Sequence, residues 1–137
     1  MFKSSLVIFA LFFLAISSFA ANWSTDYMST LKQAEKTNKK VLILFTGSDW
    51  CGFCIRLEKN CLSTKKFDKV IKDKYLLVKL DLTRKTKNPK ENEINHLLRV
   101  YNVNGFPTTV ILDSKGNEIK RIVGAPQNYL KQLQLKK

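Results

Sequence analysis

Histidine and cysteine are scarce in this sequence, and their scarcity argues against most kinds of metal site. Among 137 residues there are one histidine, His96, and three cysteines, Cys51, Cys54 and Cys61. A structural zinc ion needs four ligands, and Cys61 and His96 do not follow the cysteine pair at the spacing of a zinc finger. Three cysteines are also too few for a disulfide-stapled scaffold, and an odd number leaves one unpaired. We therefore expect neither a metal nor a cofactor.

Acidic residues are also few, with 11 against 24 lysines and arginines, which gives a net charge of +13. The basic residues are mostly lysines spread along every predicted element, without the arginine-rich patch or interleaved aromatic residues typical of nucleic-acid binding. We therefore expect no nucleic-acid partner. The charge favours solubility, weak attraction to anionic envelope surfaces or binding of acidic client proteins, and a merely solvated basic surface is the alternative.

Long apolar runs are absent, because the longest one, residues 6–16, has about eleven residues and a membrane-spanning helix needs about 20. Lys3 precedes this run, and the small residues Ser17, Ser18 and Ala20 are among those that follow it. This order predicts a secretory signal peptide, residues 1–20, that is cleaved after Ala20, with an uncleaved anchor as the alternative. The remaining residues, 21–137, are enough for one domain with one hydrophobic core.

The feature that carries chemistry is the pair Cys51 and Cys54. An apolar run at 41–45 predicts a buried strand before it, and helix-forming residues at 55–58 follow it. A thiolate at the start of a helix is stabilised by unpaired N–H groups and the helix dipole, and the thiolate is the nucleophile of disulfide exchange. We expect Cys51 to face solvent and Cys54 to attack a mixed disulfide formed on Cys51.

Two alternatives to redox chemistry exist for this pair, half of a zinc site and an inert disulfide. An inert bridge over two residues would close a very short loop and stabilise little. For Cys61 we predict packing in the core, with a regulatory or resolving thiol as the alternative.

The rest of the chain predicts a layered α/β domain. Helices are expected over 25–38 (capped by Ser24 or Thr25), 51–62, 64–72, 91–101 and after 124, and strands over 41–45, 75–82, 109–112 and 118–123. The first two strands should be parallel with a right-handed crossover, and the last two should form an antiparallel hairpin. The result is a central mixed β-sheet flanked by helices on both faces.

Two motifs together resemble the thioredoxin superfamily. They are Trp-Cys-Gly-Phe-Cys at 50–54, after an apolar strand, and Gly-Phe-Pro-Thr-Thr at 105–109, before the final hairpin. The stretch from Trp23 to Cys51 more narrowly resembles small exported bacterial thioredoxin-like disulfide reductases. The resemblance implies the thioredoxin-like fold, catalytic roles for Cys51 and Cys54, and a cis peptide bond before Pro107. It also implies that the substrate is bound by Trp50, Phe53, Phe106 and Pro107.

The resemblance further implies a periplasmic monomer whose clients are disulfide-containing exported proteins and whose electrons come from a membrane thiol donor. Strong oxidants of the superfamily carry a histidine inside the motif, where this chain has Phe53. The potential should therefore lie nearer about −270 mV than about −120 mV, which predicts a protein-disulfide reductase. The alternatives are a dithiol oxidase, an electron relay for cytochrome maturation and a non-catalytic client-binding module.

One departure from the family concerns proton transfer. Thioredoxins keep a buried aspartate in the strand before the motif, and spacing from Cys51 assigns that position to Phe45, with Leu44 and Thr46 beside it. We hypothesise that Glu58 takes the proton from Cys54 instead, with water as the alternative. Arg56 is a candidate to stabilise the Cys51 thiolate, the alternative being a solvated side chain.

Overall fold

The structure, a computed structural model, describes residues 20–135. The strands are Trp23–Ser24 (β1), Lys40–Thr46 (β2), Tyr75–Asp81 (β3), Thr108–Leu112 (β4) and Glu118–Val123 (β5). The α-helices are Tyr27–Thr37 (α1), Gly52–Leu57 (α2), Lys65–Ile71 (α3), Glu91–Val100 (α4) and Tyr129–Leu133 (α5). A π-helical turn, Glu58–Leu62, continues α2.

The strands form one mixed five-stranded sheet in the order β1-β3-β2-β4-β5. β2 pairs parallel with β3 and antiparallel with β4, and β5 pairs antiparallel with β4 at the edge. Every residue of β2 after Lys40 is buried, as expected of a central strand that is covered on both faces. The predicted parallel unit, the terminal hairpin and the mixed sheet are therefore confirmed.

Helices cover both faces of the sheet, and the sheet separates the core into two layers. Leu44 belongs to the layer under α2, α3 and α5, together with Tyr129. The next residue, Phe45, belongs to the opposite layer under α1 and α4, together with Ala34 and Ile94. Successive side chains of a strand point to opposite faces, so only alternate residues of β2 can reach the helix that carries the cysteines.

The start of the described chain differs from the prediction. Trp23–Ser24 pairs parallel with β3 as a short edge strand that the sequence pattern did not indicate. The N-cap of α1 is Asp26, whose carboxylate accepts a hydrogen bond from the Ser29 N–H at 2.9 Å. The predicted cap by Ser24 or Thr25 is wrong, because β1 occupies Ser24 and the helix begins only after Asp26.

The predicted signal peptide, residues 1–20, lies outside the described residues except for Ala20. The domain boundary at residue 21 therefore stays a prediction. Within residues 20–135, no helix combines the length and the apolar character needed to cross a bilayer.

Candidate functional site

The cysteine pair lies where β2 leads into α2. Cys51 is the N-cap residue of α2, with φ −95° and ψ 109°, and its sulfur accepts a hydrogen bond from the Cys54 N–H at 3.3 Å. This is the position that the sequence predicts. The sulfur of Cys51 thus pairs with one of the first-turn N–H groups, which have no carbonyl partner within the helix.

The loop before β4 lies against Cys51. The Phe106–Pro107 peptide bond in this loop is cis, and the Cys51 thiol donates a hydrogen bond to the Phe106 carbonyl oxygen at 3.7 Å. Cys51 is 7% exposed and Cys54 is 3% exposed. The prediction that Cys51 faces solvent therefore holds only relative to Cys54, since both residues are buried and the Phe106 carbonyl lies against the Cys51 sulfur.

Cys54 is buried, and its sulfur accepts a hydrogen bond from the Gly47 N–H at 3.5 Å. Burial, followed by the hydrogen bond with the Cys51 thiol, raises the pKa of Cys54 from 9.0 to about 11. The Thr46 hydroxyl and the Gly47 N–H act in the opposite direction. Cys54 therefore needs a proton acceptor before it can act as a nucleophile near neutral pH.

A cavity of about 490 Å³ opens beside Cys54 and holds candidates for that acceptor. The Glu58 carboxylate accepts a hydrogen bond from Lys79 Nζ at 3.1 Å, and Asp81 accepts hydrogen bonds from Ser48. The residues that line the cavity are Thr46, Ser48, Cys54, Ile55, Glu58, Lys59, Lys79 and Asp81. Sequence reasoning found Glu58 but missed Lys79 and Asp81. The sequence indicates these two residues only weakly, because they are recognisable only as a lysine within and an aspartate at the end of the mostly apolar strand β3.

Trp50 connects the cysteine pair to two loops. Its indole N–H donates to the Leu82 carbonyl oxygen at 2.7 Å, in the segment that follows β3. Its ring meets the Phe106 ring edge-on, with 5.5 Å between the centroids. The structure therefore brings Trp50, Phe106 and Pro107 together beside Cys51, and their roles in binding substrate stay predictions.

Phe53 projects from the first turn of α2 and is 59% exposed. The Arg56 guanidinium carbon lies 4.5 Å from the centroid of the Phe53 ring. Arg56, for which the sequence left a role at the Cys51 thiolate or a solvated side chain open, is exposed and lies over this ring.

Cys61 and His96 lie apart from this arrangement. Cys61 packs in the core with Tyr129, which confirms its predicted position, and burial, with a smaller effect of Glu58, raises the pKa of Cys61 to about 11. His96 is exposed on α4. In the part of the chain from residue 20 to residue 135, no three histidine, cysteine or acidic side chains are placed to hold a metal ion.

Comparison with known proteins agrees with this geometry. The sequence profile of the thioredoxin-like domain matches residues 27–135. This chain belongs to the thioredoxin-like family. Among solved structures, the structure of a DsbH oxidoreductase is similar to this chain, with a TM-score of 0.72 and 28% sequence identity over 85% of each chain.

Curated relatives of this thioredoxin-like chain include Dsb proteins. The disulfide bond reductase DsbH of Chlamydia pneumoniae is 32% identical over 107 residues, which are 75% of this chain and 64% of DsbH. The thiol:disulfide interchange protein DsbD of Yersinia pestis is 35% identical over 82 residues, which are 58% of this chain and 12% of DsbD. The chain thus spans somewhat less than two thirds of DsbH and a small part of DsbD. Like the thioredoxin-like domain that it matches, the chain has a thioredoxin-like fold, and it carries the Cys51–Cys54 pair.

This thioredoxin-like chain has no acid in β2, but the position assigned to the missing aspartate needs correction. Phe45 packs under α1 and α4, away from the cysteines, whereas Thr46 lines the cavity with Cys54. Leu44, two residues before Thr46, belongs to the layer under α2. Counting back from Cys51 gave the wrong face, because a difference of one residue in a strand reverses the side-chain direction.

Proposed function

We propose that this chain is an exported thiol–disulfide oxidoreductase that reduces disulfide bonds in periplasmic proteins. The observation that carries the proposal is the placement of Cys51 at the N-cap of α2, with the Cys54 N–H bonded to its sulfur and the Phe106–Pro107 loop against it. The similarity to DsbH, a disulfide bond reductase, supports this direction of electron flow.

The reaction has two exchange steps. The Cys51 thiolate attacks one sulfur of a client disulfide, so that a Cys51–client disulfide forms and the other client sulfur leaves as a thiolate. Cys54, once deprotonated, attacks the Cys51 sulfur and releases the second client thiolate. The two client thiolates take up protons, and two electrons have passed from the cysteine pair to the client. Cys51 and Cys54 end as a disulfide.

The client contacts the surface around Cys51. The backbone at Phe106 and Pro107 positions an extended client segment, and the half-buried Trp50 and the exposed Phe53 offer apolar contacts. An apolar surface of this kind suits flexible or unfolded clients, which expose apolar side chains.

Phe53 also bears on the direction of electron flow. It occupies the place where strong oxidants of the superfamily have a histidine, so the dithiol form gains no stabilisation from a neighbouring imidazolium. We expect a potential nearer about −270 mV than about −120 mV. Equilibration of the Cys51–Cys54 pair with glutathione measures it, and a value at the oxidising end would instead favour a dithiol oxidase.

Continued turnover requires a donor that reduces the oxidised pair again. We propose a membrane thiol carrier, in line with the similarity to DsbD, a thiol:disulfide interchange protein. In this proposal the chain acts as a monomer in the periplasm, where the predicted signal peptide would deliver it.

Reduction of insulin by the protein tests the proposed activity. We expect the wild type and Cys61→Ala to reduce insulin, because Cys61 is buried in the core away from the pair. Cys51→Ser should abolish reduction, and Cys54→Ser should accumulate a mixed disulfide with the client, visible by mass spectrometry. A wild type that binds unfolded clients without reducing them would contradict the proposal and indicate a client-binding module.

A further inference from the structure

Two arginine side chains border the cysteine pair, each stacked on an aromatic ring. The Arg84 guanidinium carbon lies 3.8 Å from the centroid of Trp50, and that of Arg56 lies 4.5 Å from the centroid of Phe53. Trp50 precedes Cys51 directly, and Phe53 follows it by two residues. Both arginines are exposed, and we call them the basic rim.

Hydrogen bonds hold the Arg84 part of the basic rim in place. The Asp49 carboxylate accepts hydrogen bonds from the backbone N–H of Arg84 at 3.0 Å and of Lys85 at 2.8 Å. The Trp50 indole is fixed by its bond to the Leu82 carbonyl oxygen. The loop that carries Arg84 and the ring on which it stacks are thus both anchored at the turn before Cys51.

Neither arginine of the basic rim forms an ion pair with an acidic side chain of the described residues. The ion pairs within residues 20–135 are Lys79–Glu58 and Arg121–Glu118, and neither includes Arg56 or Arg84. A guanidinium that stacks on a ring by its face keeps the N–H groups of its edge free for a carboxylate. Because the planar fork is already oriented, little conformational entropy is lost when a carboxylate binds.

We propose that Arg56 and Arg84 select client disulfides that have acidic side chains nearby. The inference rests on the proposed reductase function and adds a substrate preference to it. Most of the chain's positive charge is carried by lysines spread over all elements, whereas these two arginines lie on the aromatic residues that flank Cys51. A client carboxylate bound by the basic rim would hold its neighbouring disulfide close to Cys51.

A matched pair of peptides tests the preference. Both contain the same intramolecular disulfide, flanked by glutamates in one peptide and by glutamines in the other. Pre-reduced protein is mixed with each peptide, and the second-order rate constant of a single turnover is measured, so the cysteine pair itself supplies the two electrons. The readout is the ratio of the glutamate-peptide rate to the glutamine-peptide rate.

We expect the wild type to reduce the glutamate peptide faster, with a ratio that falls as salt is added. Arg56→Gln and Arg84→Gln should each lower the ratio about two- to fivefold, the usual effect of one exposed ion pair. Arg84→Lys should retain part of the preference, because it keeps the charge but loses the planar fork.

Lys36→Gln is the control for loss of one charge. Lys36 is exposed in the last turn of α1, just before β2 begins, whereas the cysteines follow the other end of β2. Its ratio should equal that of the wild type. Thermal unfolding of each variant shows whether the fold is retained.

Two results overturn the proposal in different ways. If the wild type reduces both peptides at equal rates, or if Lys36→Gln lowers the ratio as much as the rim variants do, selection by the basic rim is wrong and the reductase function stands. If the reduced wild type leaves both peptides and insulin oxidised, the reductase function fails, and the preference fails with it.

Discussion

Among single residues, Glu58 is the one whose replacement most directly tests proton transfer in this site. It shares a cavity with Cys54, whose pKa is raised to about 11 and which must lose a proton in the second step of the proposed reaction. We expect Glu58→Gln to slow release of the reduced client by about a hundredfold, the lower end of what general bases contribute, and to shift the pH–rate profile towards higher pH. Single-turnover insulin reduction between pH 6 and pH 10 measures both effects.

Glu35→Gln is the matched control for this substitution, because Glu35 is exposed on α1. Glu58→Gln also breaks the ion pair with Lys79, but both side chains are partly exposed, so the stability cost should stay below about 1 kcal/mol. An unchanged pH–rate profile in Glu58→Gln would mean that water or Asp81 receives the proton.

Gly47 leaves room for the Trp50 indole. A Cβ atom at Gly47 would lie 2.3 Å from Trp50 Cε2, so alanine there forces the ring to move. We expect Gly47→Ala to destabilise the fold by about 1–3 kcal/mol, as overpacking usually does, and to change the tryptophan fluorescence. Gly52→Ala is the control, since a Cβ at Gly52 meets no atom within 4 Å. Equal urea midpoints for the two variants would show that Trp50 is not held against Gly47.

The sequence predicts the residues of the site better than it predicts their surroundings. Cys51, Cys54 and Pro107 are recognisable because the chemistry requires particular residue types at a fixed spacing. The side chain of β2 that faces Cys54 was misassigned, because the turn between β2 and α2 decides whether Phe45 or Thr46 points that way. Nothing in the sequence indicated that Arg84 lies beside Trp50, since its position depends on how the loop after β3 binds the Asp49 carboxylate.

At the scale of elements, periodic segments were predictable and short ones were not. The apolar run of β2 predicts a buried strand, and the helical spacing of the buried residues of α4 predicts a helix. In both elements, the face that is buried determines the spacing of the apolar residues. β1 has only two residues, and its place depends on pairing with a strand about 50 residues away. The π-helical turn Glu58–Leu62 likewise has no pattern that distinguishes it from a continued α-helix.

The contact between the start of the domain and α3 gives a prediction about processing. The Ala21 backbone nitrogen donates a hydrogen bond to the Asp68 carboxylate at 3.1 Å. Cleavage after Ala20 would turn this nitrogen into an ammonium group and the hydrogen bond into an ion pair. We expect a chain that begins at Ala21 to be more stable than one extended by two residues, by about 0.5–1 kcal/mol. Urea denaturation of the two chains measures the difference.

Asp68→Asn shows whether that difference comes from the ion pair. In this background the two chains should have equal stability, because the carboxylate charge is gone. A difference that persists in Asp68→Asn would trace the effect to the extension itself. Sequencing the N-terminus of the exported protein checks the cleavage position independently.

In the molecule as a whole, the packing on both faces of the central sheet buries several ionisable groups in their neutral forms. Burial raises the pKa of Cys61 to about 11 and that of Tyr75 to about 12, and burial together with the Cys51 thiol raises the pKa of Cys54 to about 11. The same layers that fix the cysteine pair at the end of β2 therefore make the fold sensitive to alkaline pH.

The reduced protein should therefore lose stability as the pH rises from about 9, the ordinary thiol value, through about 11. The sign follows from the raised pKa values: the unfolded chain loses its protons first, so high pH favours it. Cys61→Ala should be less stable than the wild type at pH 7 by roughly 1 kcal/mol, because it leaves a small cavity. By pH 11 the difference in unfolding free energy should shift in favour of the variant by about 2 kcal/mol, because the variant lacks a thiol whose ionisation favours the unfolded chain. Urea denaturation of both reduced proteins from pH 7 to pH 11 should show the two stability curves crossing, and two parallel curves would show that the Cys61 thiol ionises as readily in the folded protein as in the unfolded chain.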